Sequence, residues 1–233
     1  MAKISRDKYK VEKSVFDQFT VRTLRKLESD GFFDIETLVP LYMGKESNIF
    51  IGYGMHGDVV VKIYRLENCD FNKMYDYIKN DPRFMNIRKN KRDIILNWVK
   101  REHRNLLKAR KAKVRVPTIF LVKNNVLVME MIGNPSMKIK DQIPSNPSTF
   151  YKQLINEIKK LLNAGLVHAD LSKFNILNYN EKPVLIDFSQ STPKDSLRAR
   201  EYFERDLRNI NTFFKKIGVK EKELKTIEDF KKK

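Results

Sequence analysis

The sequence predicts an α+β protein with its strands gathered in a first, smaller part and its helices mainly in a second. Three observations carry that prediction. Two β-rich runs separated by the Gly-rich stretch Ile51 to Asp58, Met43 to Phe50 and Val59 to Tyr64, read as a hairpin, and Thr118 to Lys123 with Val126 to Ile132 read as another around Asn124-Asn125. The segment 93–110, between the two hairpins, carries apolar residues at helical steps. Beyond Asn146 the same helical spacing recurs in Tyr151, Leu154, Ile158 and Leu161, and again in Phe203, Leu207, Ile210 and Phe214.

The composition bounds what such a protein does. The chain has 233 residues, enough for one large domain or two modest lobes. It is 41% hydrophobic and 33% charged, which describes a globular protein with a heavily charged surface. No apolar run approaches membrane-spanning length, and the start, MAKISRDKYKVEKSVFDQF, lacks the apolar core of a signal peptide. A single cysteine, Cys69, excludes an internal disulfide and a cysteine-cluster metal site. A cytoplasmic location is expected. Lys+Arg 47 against Asp+Glu 29 leaves a formal net charge of +18. A Lys-rich thermophilic composition normally brings compensating acids. Here they fall short, so contact with RNA or an RNA-rich particle is the favoured explanation.

Residues 1–43 are expected to form a helical extension, with Phe16, Phe19, Val21, Leu24 and Leu27 at helical spacing, Gly31 as a stop, and a second short apolar element before Pro40. A β-rich part then spans 44–132, with an insertion at about 66–92, and a mainly helical part with a basic tail spans 133–233. Gly44 to Asn48 offer backbone N–H groups to an anion, although the segment holds one glycine and not three. Lys62 ends the run Val59-Val60-Val61 and shares a strand face with Val60 and Tyr64. A lone strand lysine reaches out to water; a paired one needs an anion. The helix over 93–110 supplies a candidate. Its apolar stripe Ile95, Trp98, Leu106, Ala109 is interrupted by Glu102, and a buried carboxylate needs a cation. Arg101 and Arg104 are expected to be exposed, off that stripe.

The insertion is too long for a tight connection and holds Phe71, Tyr75, Tyr77 and Phe84 beside Arg83, Arg88, Lys89, Lys91 and Arg92. It reads either as a mobile surface loop or as a surface that interleaves aromatic and basic side chains for RNA. Val126 to Ile132 run into the break Gly133-Asn134-Pro135. This is equally a plain core strand or a hinge in which Glu130 C=O and Ile132 N–H meet an adenine edge with Met129 behind it. Asn146 and Pro147 suit a helix N-terminus and Gly165 its end. The tail EKELKTIEDFKKK is expected to fray.

The chemistry concentrates in Leu166 to Ser189, LVHADLSKFNILNYNEKPVLIDFS. Asn175 lies five residues after Asp170, and Asp187 closes the apolar run Val184-Leu185-Ile186. Two acids and an amide on loops at strand ends are what a magnesium-dependent phosphoryl transfer needs. One carboxylate orients or deprotonates the nucleophile; the other and the amide oxygen hold the metal.

Taken together, GKESNIF, VVVKIYR, WVKREHRNL, VRVP, VLVMEMIG, LVHADLSKFNIL and LIDFSQS resemble the RIO family of atypical serine protein kinases, in its type-one branch, from about Val15 to Phe214. The resemblance implies a two-lobed protein-kinase-like fold without an activation segment or peptide-docking helices. It implies that Gly44, Lys45, Glu46, Ser47 and Asn48 form the phosphate-covering loop. Lys62 would bind phosphate and pair with Glu102. Ile49, Val60 and Leu177 would enclose adenine, with Met129, Glu130 and Ile132 at the hinge. Asp170 would be the catalytic aspartate, and Asn175 and Asp187 would ligate Mg²⁺ or Mn²⁺ beside ATP. His168 would brace the catalytic loop. Ala169, Ser172 and Ser189 depart from the arginine, lysine and glycine of ordinary kinases. The family is associated with maturation of the small ribosomal subunit and with ATP hydrolysis through a phosphorylated metal-binding aspartate, here Asp187. The implied partners are ATP, the small-subunit precursor with its rRNA, and a protein phospho-acceptor, the chain itself or an assembly factor. Two other classes remain: a small-molecule phosphotransferase of the aminoglycoside or choline kinase kind, and an RNA-binding scaffold without catalysis.

Overall fold

The computed structural model describes residues 16–67, 69–84 and 87–230. The start of the expected N-terminal extension and the last three lysines of the basic tail lie outside the described residues. The chain divides into two compact units. The first comprises Met1–Ile78, Asn86–Lys100 and Ile119–Met131, and the second Lys79–Met85, Arg101–Thr118 and Ile132–Lys233.

The first unit is built on an antiparallel sheet of β1 (Val39–Met43), β2 (Ser47–Gly54), β3 (Gly57–Tyr64), β4 (Ile119–Lys123) and β5 (Val126–Glu130), in the order β1-β2-β3-β5-β4. Side chains alternate along a strand, so Val59, Val61 and Ile63 share one face of β3 with Phe50, Val126 and Val128 from its neighbours. That face is covered by α1 (Gln18–Ser29), which contributes Leu24 and Leu27. Asp17 caps α1 by accepting the Thr20 amide at 3.0 Å. The turn after α1 crosses β2 so closely that a Cβ on Gly54 would lie 2.1 Å from the Phe32 carbonyl oxygen, which only glycine permits. Asn125, in the β4–β5 turn, is fully buried. Its Nδ2 donates to Thr20 Oγ1 and to the Tyr64 carbonyl, each at 2.8 Å.

Two expectations fail here. Val39–Met43, expected within the helical extension, form the edge strand of the sheet, paired to β2 with a register shift between Pro40 and Tyr42. All five residues are exposed, so no alternation of burial marks them. The insertion is also less open than expected. Phe71–Lys79 fold as α2, burying Met74 and Ile78, with the Tyr77 ring edge-on to Trp98 at 5.9 Å.

A 21-residue helix, α3 (Lys91–Lys111), follows. Ile95, Trp98, Glu102, Leu106 and Ala109 are buried, as the helical spacing predicts. Arg104 is exposed as expected, but Arg101 is not: its side chain is fully buried, because Asp81 and the chain near Ser189 cover that flank.

In the second unit, α4 (Pro147–Asn163) begins at the Asn146 cap, whose Oδ1 accepts the Thr149 amide at 2.9 Å. It buries Tyr151, Leu154, Ile158 and Leu161. The chain then forms β6 (Leu166–Val167), the hairpin of β7 (Ile176–Tyr179) and β8 (Lys182–Leu185), and β9 (Thr192–Pro193), which pairs with β6. The last long helix, α5 (Ala199–Lys216), buries Phe203, Leu207, Ile210 and Phe214. The tail up to Phe230 does not fray as expected. The Lys225 amide donates to the Tyr151 hydroxyl at 2.8 Å, and the Phe230 ring packs edge-on against Phe203 at 5.0 Å. Among the described residues no helix is long and apolar enough to cross a membrane.

Candidate active site

The second unit gathers Asp170, Asn175 and Asp187 through local hydrogen bonds. The Asn175 amide donates to the Ser172 carbonyl at 3.0 Å, closing the loop after Asp170. Asn175 Nδ2 donates to the Asp170 carbonyl at 2.8 Å and to its Oδ2 at 3.1 Å. The amide nitrogen is thus turned to Asp170, leaving Oδ1 as the atom suited to a cation. The β7–β8 hairpin brings Ile186 back, its N–H donating to the Asn175 carbonyl at 3.1 Å, so that Asp187 follows directly. Ser189 Oγ donates to Asp187 Oδ1 at 2.8 Å.

Two residues of this loop carry backbone strain. Ala169 has φ +64° and Asp187 φ +61°, left-handed values that cost a non-glycine residue free energy and persist only where neighbours impose them. At Ala169 the neighbour is Asp206 of α5. Its Oδ2 accepts the Ala169 amide at 2.8 Å and its Oδ1 the Leu171 amide at 2.9 Å, one on each side of Asp170. The Arg205 guanidinium donates to the Ala169 carbonyl. Burial pushes the Asp206 carboxyl up to about 7, while the two amides and Arg205 pull it back toward the charged form. Asp206 is absent from the sequence-predicted site residues, yet the sequence marks it. It sits three residues after Phe203 and four before Ile210 on the apolar stripe, the position Glu102 holds in α3.

His168 is 2% exposed, and its Nε2 lies 3.1 Å from the Ile186 carbonyl, where it acts as donor. Its ring packs on Phe188 at 4.7 Å. Burial lowers its pKa to about 4, against the opposing pull of the nearby Asp187 charge, so the ring is neutral near pH 7. A buried neutral ring held this way braces the chain before Asp187.

The other predicted residues fall elsewhere. In the first unit, Lys62 is 4% exposed, in the middle of β3, facing Ile49 on β2 and Leu127 on β5, with its Nζ 5.1 Å above the Tyr64 ring. Alternation sets Ile49, Val60 and Lys62 on the sheet face away from the Val59–Val61–Ile63 core. Val60 is paired with Met129, and Glu130 ends β5. Gly44 to Ser47 form a tight turn closed by the Gly44 amide on the Ser47 carbonyl at 3.0 Å. A Cβ on Gly44 would lie 2.8 Å from that oxygen. Lys45 is exposed and Glu46 half-buried at the turn, while Asn48 is buried on the Phe50 side of β2. Glu102, 1% exposed, Ile132 and Leu177 belong to the second unit with Asp170, Asn175 and Asp187.

The donors fit a hard cation. Asp187 and Asn175 would offer oxygen ligands, the donor type that Mg²⁺ prefers. No group of three or more His, Cys, Asp or Glu among the described residues would cage a metal by itself. A cation held by Asp187 and Asn175 would supply positive charge to phosphate oxygens.

Comparison with known proteins decides the family. The family model of the RIO domain matches residues 48–227. The chain belongs to the RIO family. It is 40% identical over 217 residues to the RIO-type serine/threonine-protein kinase Rio1 of Haloferax volcanii, covering 91% of this chain and 74% of that one. It is 37% identical to the protein of the same name from Methanocaldococcus jannaschii, covering 90% and 73%. A solved structure of the Rio2 kinase ADP/Mg²⁺-phosphoaspartate complex from Chaetomium thermophilum is similar with a TM-score of 0.66 at 25% identity. That match covers 84% of this chain, which spans 60% of the solved one. The RIO fold is kinase-like, and the enzyme class of this RIO chain is serine/threonine protein kinase.

Proposed function

We propose that the chain is an ATP- and Mg²⁺-dependent serine/threonine kinase and ATPase that works in the cytoplasm on the precursor of the small ribosomal subunit. The observation that carries this is Asp170 bonded to the Asn175 side chain, with Asp187 placed next to Ile186, whose amide meets the Asn175 carbonyl, and the Ala169 and Leu171 amides pinned by Asp206. In transfer to protein, Asp170 accepts the proton of the acceptor hydroxyl as its oxygen attacks the γ-phosphorus and the bond to ADP breaks. In the ATPase branch, a carboxylate oxygen of Asp187 attacks the γ-phosphorus and ADP leaves. Water then cleaves the acyl phosphate, restoring the carboxylate and releasing inorganic phosphate. The phosphoaspartate named for the Chaetomium Rio2 structure supports this branch, as does the Ser189 hydroxyl fixing one Asp187 oxygen. By the family's pattern, Lys62 and the Gly44–Asn48 turn are assigned to the phosphates, and Ile49, Val60, Met129 and Glu130 to the adenine. The net charge of +18 supports an rRNA-rich partner.

The test is incubation with γ-labelled ATP and Mg²⁺, with and without small-subunit particles, following free phosphate and protein-bound label. Hydroxylamine-sensitive label and phosphate release that rises with particles are expected. Label with no hydroxylamine-sensitive fraction would exclude the aspartyl phosphate, and no label or phosphate release at all would exclude the kinase and ATPase.

A further inference from the structure

A second buried ionic cluster lies in the same unit and takes no part in the chemistry above. Arg101 on α3 and Asp81 have fully buried side chains, with Arg101 Nε 3.2 Å from Asp81 Oδ2. Arg83 grips the same carboxylate with its Nε at 2.8 Å and Nη2 at 2.6 Å. Burial would push the Asp81 carboxyl up, but the Arg83 hydrogen bonds and the charges of Arg83 and Arg101 outweigh it and hold the group below the usual carboxylate range. Arg104 donates to the Arg83 carbonyl at 3.1 Å, fastening the Asp81–Phe84 stretch along α3.

The far end of Arg101 shows where this cluster acts. Its Nη1 donates to the Ser189 carbonyl at 2.9 Å. One turn further along α3, Asn105 Nδ2 donates to the Phe188 carbonyl at 3.0 Å and to the Ser191 carbonyl at 2.7 Å. Three carbonyls just after Asp187 are therefore held by two buried side chains. Ser189 is the link between them and the carboxylate, because its carbonyl accepts from Arg101 while its hydroxyl donates to Asp187 Oδ1. Arg101 needs its full fork for this, one edge on Asp81 and one on Ser189, which a lysine cannot reproduce. A buried guanidinium stripped of its carboxylate would carry a large desolvation cost, so Asp81 keeps Arg101 in place. Asp187, at φ +61°, depends on imposed geometry of this kind.

We propose that the buried Asp81–Arg101 pair positions the Asp187 carboxylate through Ser189 and so sets the affinity with which Asp187 takes a divalent cation. The proposal rests on the kinase reading for the cation and on the geometry alone for the positioning. It gives the segment between β3 and α3 a role in the site: its Asp81 acts on Asp187 from behind α3.

The experiment is a double-mutant cycle between Asp81→Asn and Ser189→Ala on the full chain, with Arg101→Lys as a third variant. Mg²⁺ affinity is read by calorimetry in the presence of ADP, and amide exchange is read at 187–191. Groups behind a metal ligand typically contribute about 10- to 100-fold in affinity. Each single change is expected to weaken Mg²⁺ binding about 10-fold, with Arg101→Lys failing to rescue. The double variant is expected to be little worse than either single one, since both act through one chain of contacts. Exchange at 187–191 is expected to quicken in Asp81→Asn while the amides of α4 keep their protection. Mg²⁺ affinity within twofold of wild type in Asp81→Asn, or fully additive effects, would overturn the proposal. If the wild-type chain binds no Mg²⁺ with ADP, the kinase reading falls, and exchange alone decides the positioning: local quickening upholds it and unchanged exchange overturns it.

Discussion

The carboxylate of Asp206 accepts the amide of Ala169, a non-glycine residue held at φ +64° one position before Asp170. The same carboxylate accepts the amide of Leu171, so a single side chain of α5 spans Asp170. In Asp206→Asn one of the two amides loses its acceptor, because the Asn side chain has only one oxygen. A buried amide without a partner costs about 1–3 kcal/mol. Urea denaturation is expected to show a loss in that range. Phosphate transfer is expected to fall at least tenfold under conditions where the variant remains folded, because Ala169 is released to relax. Unchanged turnover would mean that Asp170 keeps its place without this brace.

The two perturbed groups beside the loop act in opposite directions on stability. His168 is neutral down to about pH 4 when folded and titrates near its ordinary value of 6.5 when unfolded. Across that window the unfolded chain binds more protons, so stability falls as pH drops from 6.5 toward 4. Asp206 titrates near 7 when folded and at 3.8 when unfolded, so the folded chain binds more protons and stability falls as pH rises between those values. The opposing slopes flatten the wild-type profile between pH 4 and 6.5. His168→Phe is expected to leave the Asp206 slope, making the protein lose stability from pH 4.5 upward relative to wild type. Urea midpoints at half-unit pH steps check this.

Much of this arrangement is written in local sequence patterns, and the remainder depends on distant partners. Asp170, Asn175 and Asp187 stand out by residue type and spacing and Glu102 by its apolar neighbours, while the kinase order of these residues with Lys62 rests on the resemblance to the RIO family. Asp206 carries the same mark on α5 but was read past among the charges around it. Arg101 could not be recognised. It lies one residue off the apolar stripe, and it is buried by Asp81 and Ser189, which are 20 and 88 residues away along the chain. The strand Val39–Met43 escaped notice because an edge strand exposed throughout shows no alternation. The charge of the tail predicts fraying, but Phe230 and the Lys225 amide find partners on α5 and α4 that only the folded chain provides.

Asp170, bonded to the Asn175 side chain, and Asp187, one residue after the Ile186 amide that meets the Asn175 carbonyl, are expected to fail differently when removed. Asp170→Ala deletes the proposed proton acceptor and leaves the proposed cation donors Asn175 Oδ1 and Asp187 in place. Transfer to protein should drop by about 10²–10⁴-fold, with MgADP affinity changed only a few-fold. Asp187→Ala removes the one carboxylate among the proposed donors, so Mg²⁺-dependent nucleotide binding and hydroxylamine-sensitive label should both disappear. Paired calorimetry and labelling separate the two. Equal loss of binding in both variants would argue that Asp170 also serves as a metal ligand.

The excess positive charge makes its own prediction about rRNA. Each lysine or arginine that neutralises a phosphate releases a condensed counterion, so affinity falls with salt in proportion to the contacts made. The aromatic–cation pairs Lys89 with Tyr75, Lys91 with Phe71 and Arg92 with Phe19 put basic side chains and ring faces together in the first unit. Single-stranded RNA is recognised by that combination. Binding of a small-subunit rRNA fragment is expected to weaken by about 10³-fold between 50 and 200 mM salt, the response of six or more phosphate contacts. Lys89→Ala combined with Arg92→Ala should lower the salt slope by about two contacts without altering Mg²⁺ affinity at Asp187. A flat salt response in the wild-type chain would assign the charge to composition alone. An unchanged slope in the double variant would move the RNA contact away from this cluster.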